Sequence, residues 1–250
     1  MKSKRDSNES IYIIDYDEIV VFKERITRFT VSFDFKKKLG NNENSGENLA
    51  HLHDSGRLTE LLIEGNELFI KRSEKKDRKT KWDVIGVKIE DEVVLINSAY
   101  HRYIVESILN NEELSPFGKV RNIQPEVKYK NSRIDFYMET EKDRIYLEIK
   151  GCTLIENKIA TFPGAPSVRA VKHLNELMEL KKEGFRAAVL ILIFRKSKCF
   201  RPRHETDRNF AQTFYKAIDK GVEIYTMLLS YENKNIYFQK RLKILGKSFK

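Results

Sequence analysis

The chain has 250 residues, 40% of them hydrophobic and 34% charged, enough for one large domain or two modest ones. Lys and Arg total 47 against 37 Asp and Glu, and the formal charge of +10 favours polyanionic partners, nucleic acid before an anionic membrane surface. No apolar run is as long as a membrane span, and two cysteines and five scattered histidines offer neither a disulfide framework nor zinc-ligand spacing.

The opening MKSKRDSNES has no apolar stretch like that of a signal peptide, so a cytoplasmic location without a membrane partner is expected, with residues 1–10 disordered. From 11 to 97 the texture is all-β. EIVVF (18–22), RFTVSFDF (28–35), NELFIKR (66–72), WDVIGVKI (82–89) and EVVLIN (92–97) read as strands between turn and charge clusters. Five short strands predict a small barrel of the OB type. Phe29, Phe33 and Phe35 share the parity of Val31, which places them on its buried face rather than in a base-stacking site.

From 98 to 235 the pattern becomes α/β. AYHRYIVESILNN (99–111) has helical spacing and carries Glu106, and QPEVKY (124–129), SRIDFYM (132–138) and RIYLEIK (144–150) read as strands. APSVRAVKHLNELMELKKEG (165–184) is the clearest helix, with Val168, Val171, Leu174, Leu177 and Met178 as its apolar stripe. A central strand, RAAVLILIF (186–194), is followed by a helix over 207–221 with Asp207 as N-cap, and then by the strand VEIYTMLLS (222–230). This order predicts a mixed-sheet α/β domain, with 236–250 as a frayed basic tail.

The short linker ETEKD makes the strands around 132–150 a hairpin. With Glu139 opposite Arg144, Asp135 falls opposite Glu148 and Arg133 opposite Lys150, side chains sharing a face at roughly 5 Å between Cβ atoms. Two carboxylates that close need a neutralising partner. Hard oxygen ligands suit Mg²⁺ or Mn²⁺, and Lys150 two residues on could steady a phosphate or a water. The competing reading is an ion-pair ladder on a solvated sheet face, and from these residues alone the two stand level.

Asp135, Glu148-x-Lys150 and a preceding helix with Glu106 resemble the core of the PD-(D/E)xK nuclease superfamily. Over nearly its whole length the chain also resembles the sugar fermentation stimulation protein (SfsA) family. The stretches concerned are RITRF (25–29), AHLHDSGRLTELL (50–62), INSAYHRYIVESIL (96–109), EVKYKNSRIDF (126–136), YLEIKGCTL (146–154) and FPGAPSVRAVKHLNEL (162–177). The resemblance implies an OB-fold domain followed by a nuclease-like domain, and links to DNA binding, nuclease activity and control of sugar-utilisation genes. It makes Asp135 and Glu148 metal ligands, Lys150 the catalytic lysine, Glu106 an auxiliary ligand or water-orienting group, and Glu126 a weaker candidate of that kind. The chain departs from the family pattern at Gly164, where an Asp is usual, and at Ala170, where a Gly is usual.

Arg25, Arg28, Arg57, Arg133, Arg169 and His173 are the candidate nucleic-acid contacts. Arg169 and His173 lie four apart on one helix face, and Arg57 follows a loop glycine from which it could reach a phosphate. The expected function is divalent-metal-dependent hydrolysis of phosphodiester bonds in DNA, with RNA as the other substrate. The alternative is a non-catalytic DNA-binding regulator of sugar-metabolism genes that keeps the nuclease fold. A homodimer is compatible with either.

Overall fold

A computed structural model describes residues 9–36, 48–74 and 78–246. The expectations for residues 1–8, for most of the loop after Lys36, for 75–77 and for the last four lysine-rich positions fall outside these ranges. The strands of the first part are β1 (Ser10–Ile13), β2 (Glu18–Thr27), β3 (Thr30–Phe35), β4 (Leu49–His51), β5 (Glu67–Arg72), β6 (Trp82–Ile89) and β7 (Glu92–Leu95). A 3-10 turn (Ser98–Tyr100) leads into α1 (His101–Asn110). There follow β8 (Arg121–Tyr129), β9 (Ser132–Glu139), β10 (Arg144–Cys152), β11 (Ile155–Glu156), β12 (Ile159–Phe162) and α2 (Val168–Lys182). The chain then forms β13 (Arg186–Ile193), β14 (Cys199–Pro202), α3 (Arg208–Asp219), β15 (Glu223–Glu232), β16 (Asn235–Lys240) and β17 (Lys243–Ile244).

Strands β4-β3-β2-β5-β6 run in that order, and pairing of β4 with β6 closes them into the five-stranded OB barrel. Its core draws on Val20, Phe22, Val31, Phe33, Leu68 and Ile70 at alternate strand positions and on Val84 and Val87 of β6, where the pairing with β5 is shifted, all buried. β7 pairs with β6 and touches β15 at Val93–Tyr231, so the barrel edge continues into the second sheet. That sheet runs β15-β13-β10-β9-β8, parallel through β10, β13 and β15 and antiparallel through the β8–β9–β10 meander. β13, apolar over nearly its whole length, is the central strand covered on both faces. On one face Ile145, Leu147 and Phe136 join the core that includes α1 and the barrel; on the other, Ile134, Val189 and Ile191 pack with α2 and α3.

Both long helices begin at side-chain caps. Ser167 Oγ accepts from Ala170 N at 3.1 Å, and Asp207 Oδ1 accepts from Phe210 N at 2.9 Å. Asp207 Oδ2 also accepts from Ser167 N at 2.9 Å, so one carboxylate ties together the starts of α2 and α3. Val168, assigned to the apolar stripe of α2, is instead 87% exposed, because it is the first residue after the cap and the buried face begins at Ala170.

The two ends of the chain differ most from expectation. Residues 236–244 do not fray: β16 pairs with β15 and with β1, and β17 pairs with β14. Ile236 is buried there, and Ser10 Oγ donates to Asn235 Oδ1 at 2.8 Å, so Ser10, the last residue of the stretch expected to be disordered, is held in a strand. β1 and β17 each rest on a partner distant in sequence, which local alternation does not register, while β16 closes a hairpin on β15 and adds β1 on its other side. β4, β11, β12, β14 and β17 have two to four residues each, too short for a periodic signal.

Candidate active site

The β9–β10 hairpin has the expected register, with Arg144 opposite Glu139 and Leu147 opposite Phe136. The ladder ends there. Beyond it the Ile149 N–H donates to Asp135 Oδ2 at 2.6 Å, a side chain in the place of the partner strand's backbone. β9 therefore parts from β10 and stays paired with β8, where Arg133 lies opposite Lys128. This overturns the placement of Arg133 across from Lys150. Its guanidinium is exposed and ion-paired to Glu126 at 2.8 Å, so neither residue joins the carboxylate pair.

The face carrying Tyr146, Glu148 and Lys150 is not solvated. It lies under α2, and Glu148 is 2% exposed. Burial of this carboxylate removes the solvated ion-pair ladder from consideration. Two nitrogens meet it: Lys150 Nζ and His173 Nδ1 both hydrogen-bond Glu148 Oε1. Glu148 Oε2 is buried with no hydrogen-bond partner among the described residues. An unpaired carboxylate oxygen in an apolar surround is costly and marks a place where something binds or reacts.

Electrostatics separate the two acids. Burial pushes the Asp135 carboxyl up to about 6, and the negative charge of Glu148 adds to the rise against the Ile149 N–H and Lys150. Burial alone would raise Glu148 too, but the His173 hydrogen bond and the Lys150 charge outweigh it and hold the carboxyl below its usual range. The pair thus consists of a firm anion and a carboxyl that titrates near neutrality, a division typical of functional clusters.

His173 reaches the site because it occupies the buried face of α2 with Ala170, Leu174 and Leu177. At 3% exposure and bonded to Glu148, it steadies the carboxylate from beneath and does not offer itself to a phosphate as expected. Arg169, one turn earlier, is exposed. Glu106 forms an ion pair with Arg102 on its own helix at 3.0 Å. It is not brought to Asp135 and Glu148, and no group of three or more His, Cys, Asp or Glu among the described residues is placed to hold a metal ion.

Gly151, directly after Lys150, lies against His101. A Cβ there would stand 2.3 Å from His101 Cε1, so only glycine lets α1 pack this closely on β10. The imidazole also stacks on Phe194 at 5.3 Å, and burial lowers its pKa to about 4, keeping it neutral. Sequence reasoning missed His101, since the contact joins positions far apart in the chain.

A cleft of about 340 Å³ opens beside this end of β10, between the barrel loop at Asp54, Arg57 and Glu60 and a wall that includes Thr153, Phe162 and Arg203. Phe162 also lines the small apolar space beneath Glu148, Lys150 and His173, so one ring separates the two. Arg57 is among the residues that line the cleft. Arg25 is not: its guanidinium donates to the carbonyls of Gly56, Arg57, Arg28 and Asp54, a structural clamp on the loop rather than a free contact. Arg28 donates Nε to Ser55 O at 3.3 Å and remains exposed.

Comparison with known proteins accords with this architecture. Residues 24–96 match the model described as the SfsA N-terminal OB domain, and residues 99–235 match the sugar fermentation stimulation protein RE domain. A sugar fermentation stimulation protein homolog of Thermosipho melanesiensis is 42% identical over 236 residues, covering 94% of this chain and 98% of its own. The homolog of Methanosphaera stadtmanae is 41% identical over 244 residues, covering 95% and 98%. The solved structure of Pyrococcus furiosus SfsA in complex with Ca²⁺ superposes with a TM-score of 0.84 at 25% identity, covering 95% of this chain and 99% of that one. None of the helices among the described residues is long and apolar enough to cross a membrane. With both family models matched in order and relatives alike from end to end, the chain belongs to the sugar fermentation stimulation protein (SfsA) family.

Proposed function

We propose that this protein is a divalent-metal-dependent nuclease that hydrolyses phosphodiester bonds, with Asp135, Glu148 and Lys150 at its centre. The observation that carries the reading is the carboxylate pair of Asp135 and the buried Glu148, whose Oε2 is unpartnered, with Lys150 bonded to Glu148 and a cleft that holds Arg57 and Arg203 nearby. Two hard oxygen donors fit Mg²⁺ or Mn²⁺, ions that usually keep several waters and take only one or two carboxylates from the protein. The related Pyrococcus protein is in complex with Ca²⁺, which supports a divalent ion here. A bound ion would lower the pKa of a water and offset charge on the phosphate.

The side chains supply the rest. His173 and Lys150 hold Glu148 in one orientation, and the Ile149 N–H holds Asp135. Phe162, Leu174 and Phe210 line the space beneath Glu148 and keep water from its buried side. Lys150 carries the ammonium nearest the pair, suited to a phosphate oxygen or to orienting the attacking water. Arg57 and the overall charge of +10 favour the nucleic-acid backbone.

The test is a cleavage assay of the wild type, Asp135→Ala and Lys150→Ala with end-labelled single- and double-stranded DNA and with RNA, in Mg²⁺, Mn²⁺ or chelator. Cleavage abolished by chelator and by Asp135→Ala is expected. A gel shift without turnover in any metal would overturn the proposal and leave a DNA-binding regulator.

A further inference from the structure

Phe29 is where the barrel breaks its own pattern. Strand parity assigns it to the interior with Val31 and Phe33, yet it lies in the turn between β2 and β3 and is 43% exposed, while Phe33 is 1% exposed. The ring has two flat, polar-edged neighbours. The Arg28 guanidinium lies 5.4 Å from its centroid, and the His51 imidazole lies 6.2 Å away at 29° to its plane. His51 is held there by the pairing of β3 with β4, where it stands opposite Thr30.

The surrounding backbone keeps this arrangement in place. Arg25 clamps the Asp54–Arg57 loop to the carbonyl of Arg28, and Arg28 itself bonds Ser55 O. The exposed ring is therefore mounted on a braced turn. The same loop runs on to form one wall of the cleft whose other wall begins at Gly151, the residue after Lys150. The braced turn that carries Phe29 thus adjoins the loop at Arg57 that lines the cleft.

From this placement we infer that Phe29, flanked by Arg28 and His51, is a stacking platform for an unpaired base, and that the nucleic acid this protein engages is single-stranded. An aromatic face beside guanidinium groups offers a base its π-surface and the adjoining phosphates a positive charge. Bases in a duplex stack on one another and have no free face to present; unpaired ones do. The inference rests on the nuclease reading only for the direction of the strand, since the platform binds whether or not the chain cleaves.

The test is fluorescence anisotropy in chelator, so that no turnover intervenes. Labelled dT12 and rU12 and a 12-base-pair duplex would be titrated with the wild type, Phe29→Ala and Phe29→Tyr. Single strands are expected to bind more tightly than the duplex. Phe29→Ala should weaken single-strand binding about tenfold, the scale of one lost base–aromatic stack, and Phe29→Tyr should stay close to wild type. Phe29→Trp adds a direct readout, with indole fluorescence quenched on adding dT12. Equal binding by Phe29→Ala, preference for the duplex, or an unquenched Trp at saturating oligonucleotide would overturn the inference. Binding through Phe29 without cleavage in any metal would remove the nuclease reading and leave the platform. Cleavage indifferent to Phe29 would do the reverse.

Discussion

Asp83 in the barrel and Asp135 in the sheet are the same residue treated in opposite ways. Asp83 receives Arg78 Nη2 at 2.7 Å, Arg78 Nη1 at 3.2 Å and His53 Nε2 at 3.1 Å. Burial opposes its charge, but these bonds prevail and pull its carboxyl down to about 2. Asp135 has one backbone N–H and a second carboxylate for company, and its carboxyl rises to about 6. A fully partnered aspartate holds structure together. One kept beside a like charge, with partners too few to offset it, is poised to take something up, and that difference is visible only once the neighbours are known.

The largest expected effect lies on the second side of this comparison. Asp135→Ala should lower cleavage by about a thousandfold or more, the scale of losing a preorganised electrostatic group, while circular dichroism shows the fold retained. Survival of activity would erase the distinction between the two aspartates. His173→Ala should cost about 10- to 100-fold in kcat, as loss of a residue orienting a ligand does. Because Glu148 then loses its hydrogen bond, the acid limb of the pH–rate profile should move to higher pH; a purely structural His173 would leave that limb in place.

Stability should resolve the pair next. Asp83→Asn is expected to destabilise the protein by about 1–2 kcal/mol at neutral pH. That corresponds to roughly two pKa units at about 1.4 kcal/mol each, discounted for partial exposure. Since its folded pKa is depressed, its stabilisation is present above about pH 4 and is lost as pH falls toward 2. Asp135 has the opposite sign. Its folded form holds a proton that the unfolded chain has released between about pH 4 and 6, so without metal its contribution to stability declines as pH rises through that window. Thermal melts of metal-free Asp135→Asn should lack this decline. The smallest effect belongs to Arg133→Ala, which removes an exposed ion pair with Glu126 and should change stability by about 0.5 kcal/mol or less.

Much of the candidate site was legible in the sequence. Alternation in SRIDFYM and RIYLEIK, with a short linker, specified the hairpin register as far as Leu147 opposite Phe136, one step short of the expected pairing of Asp135 with Glu148. The period of α2 placed His173 on a definable face, although not whether that face met a phosphate or a buried carboxylate. The sequence did not reveal that Glu106 pairs with Arg102 one helical turn away, or that Arg133 pairs with Glu126 on the neighbouring strand. Phe29 was misjudged because strand parity fails where the strand gives way to a turn.

By itself the sequence determined the elements whose stability is local and periodic: the longer barrel strands, the hairpin, and the two long helices, the second with its Asp207 cap. These follow from hydrophobic spacing and capping, which act over a few residues. Tertiary structure decided the rest. It closed the barrel through the three-residue β4, tied β1 to β16 across almost the whole chain, and set α2 over the polar face of β10. That last contact buries Glu148, and burial sets two ordinary carboxylates apart in proton affinity, because the energy of a charge depends on how far water is excluded from it.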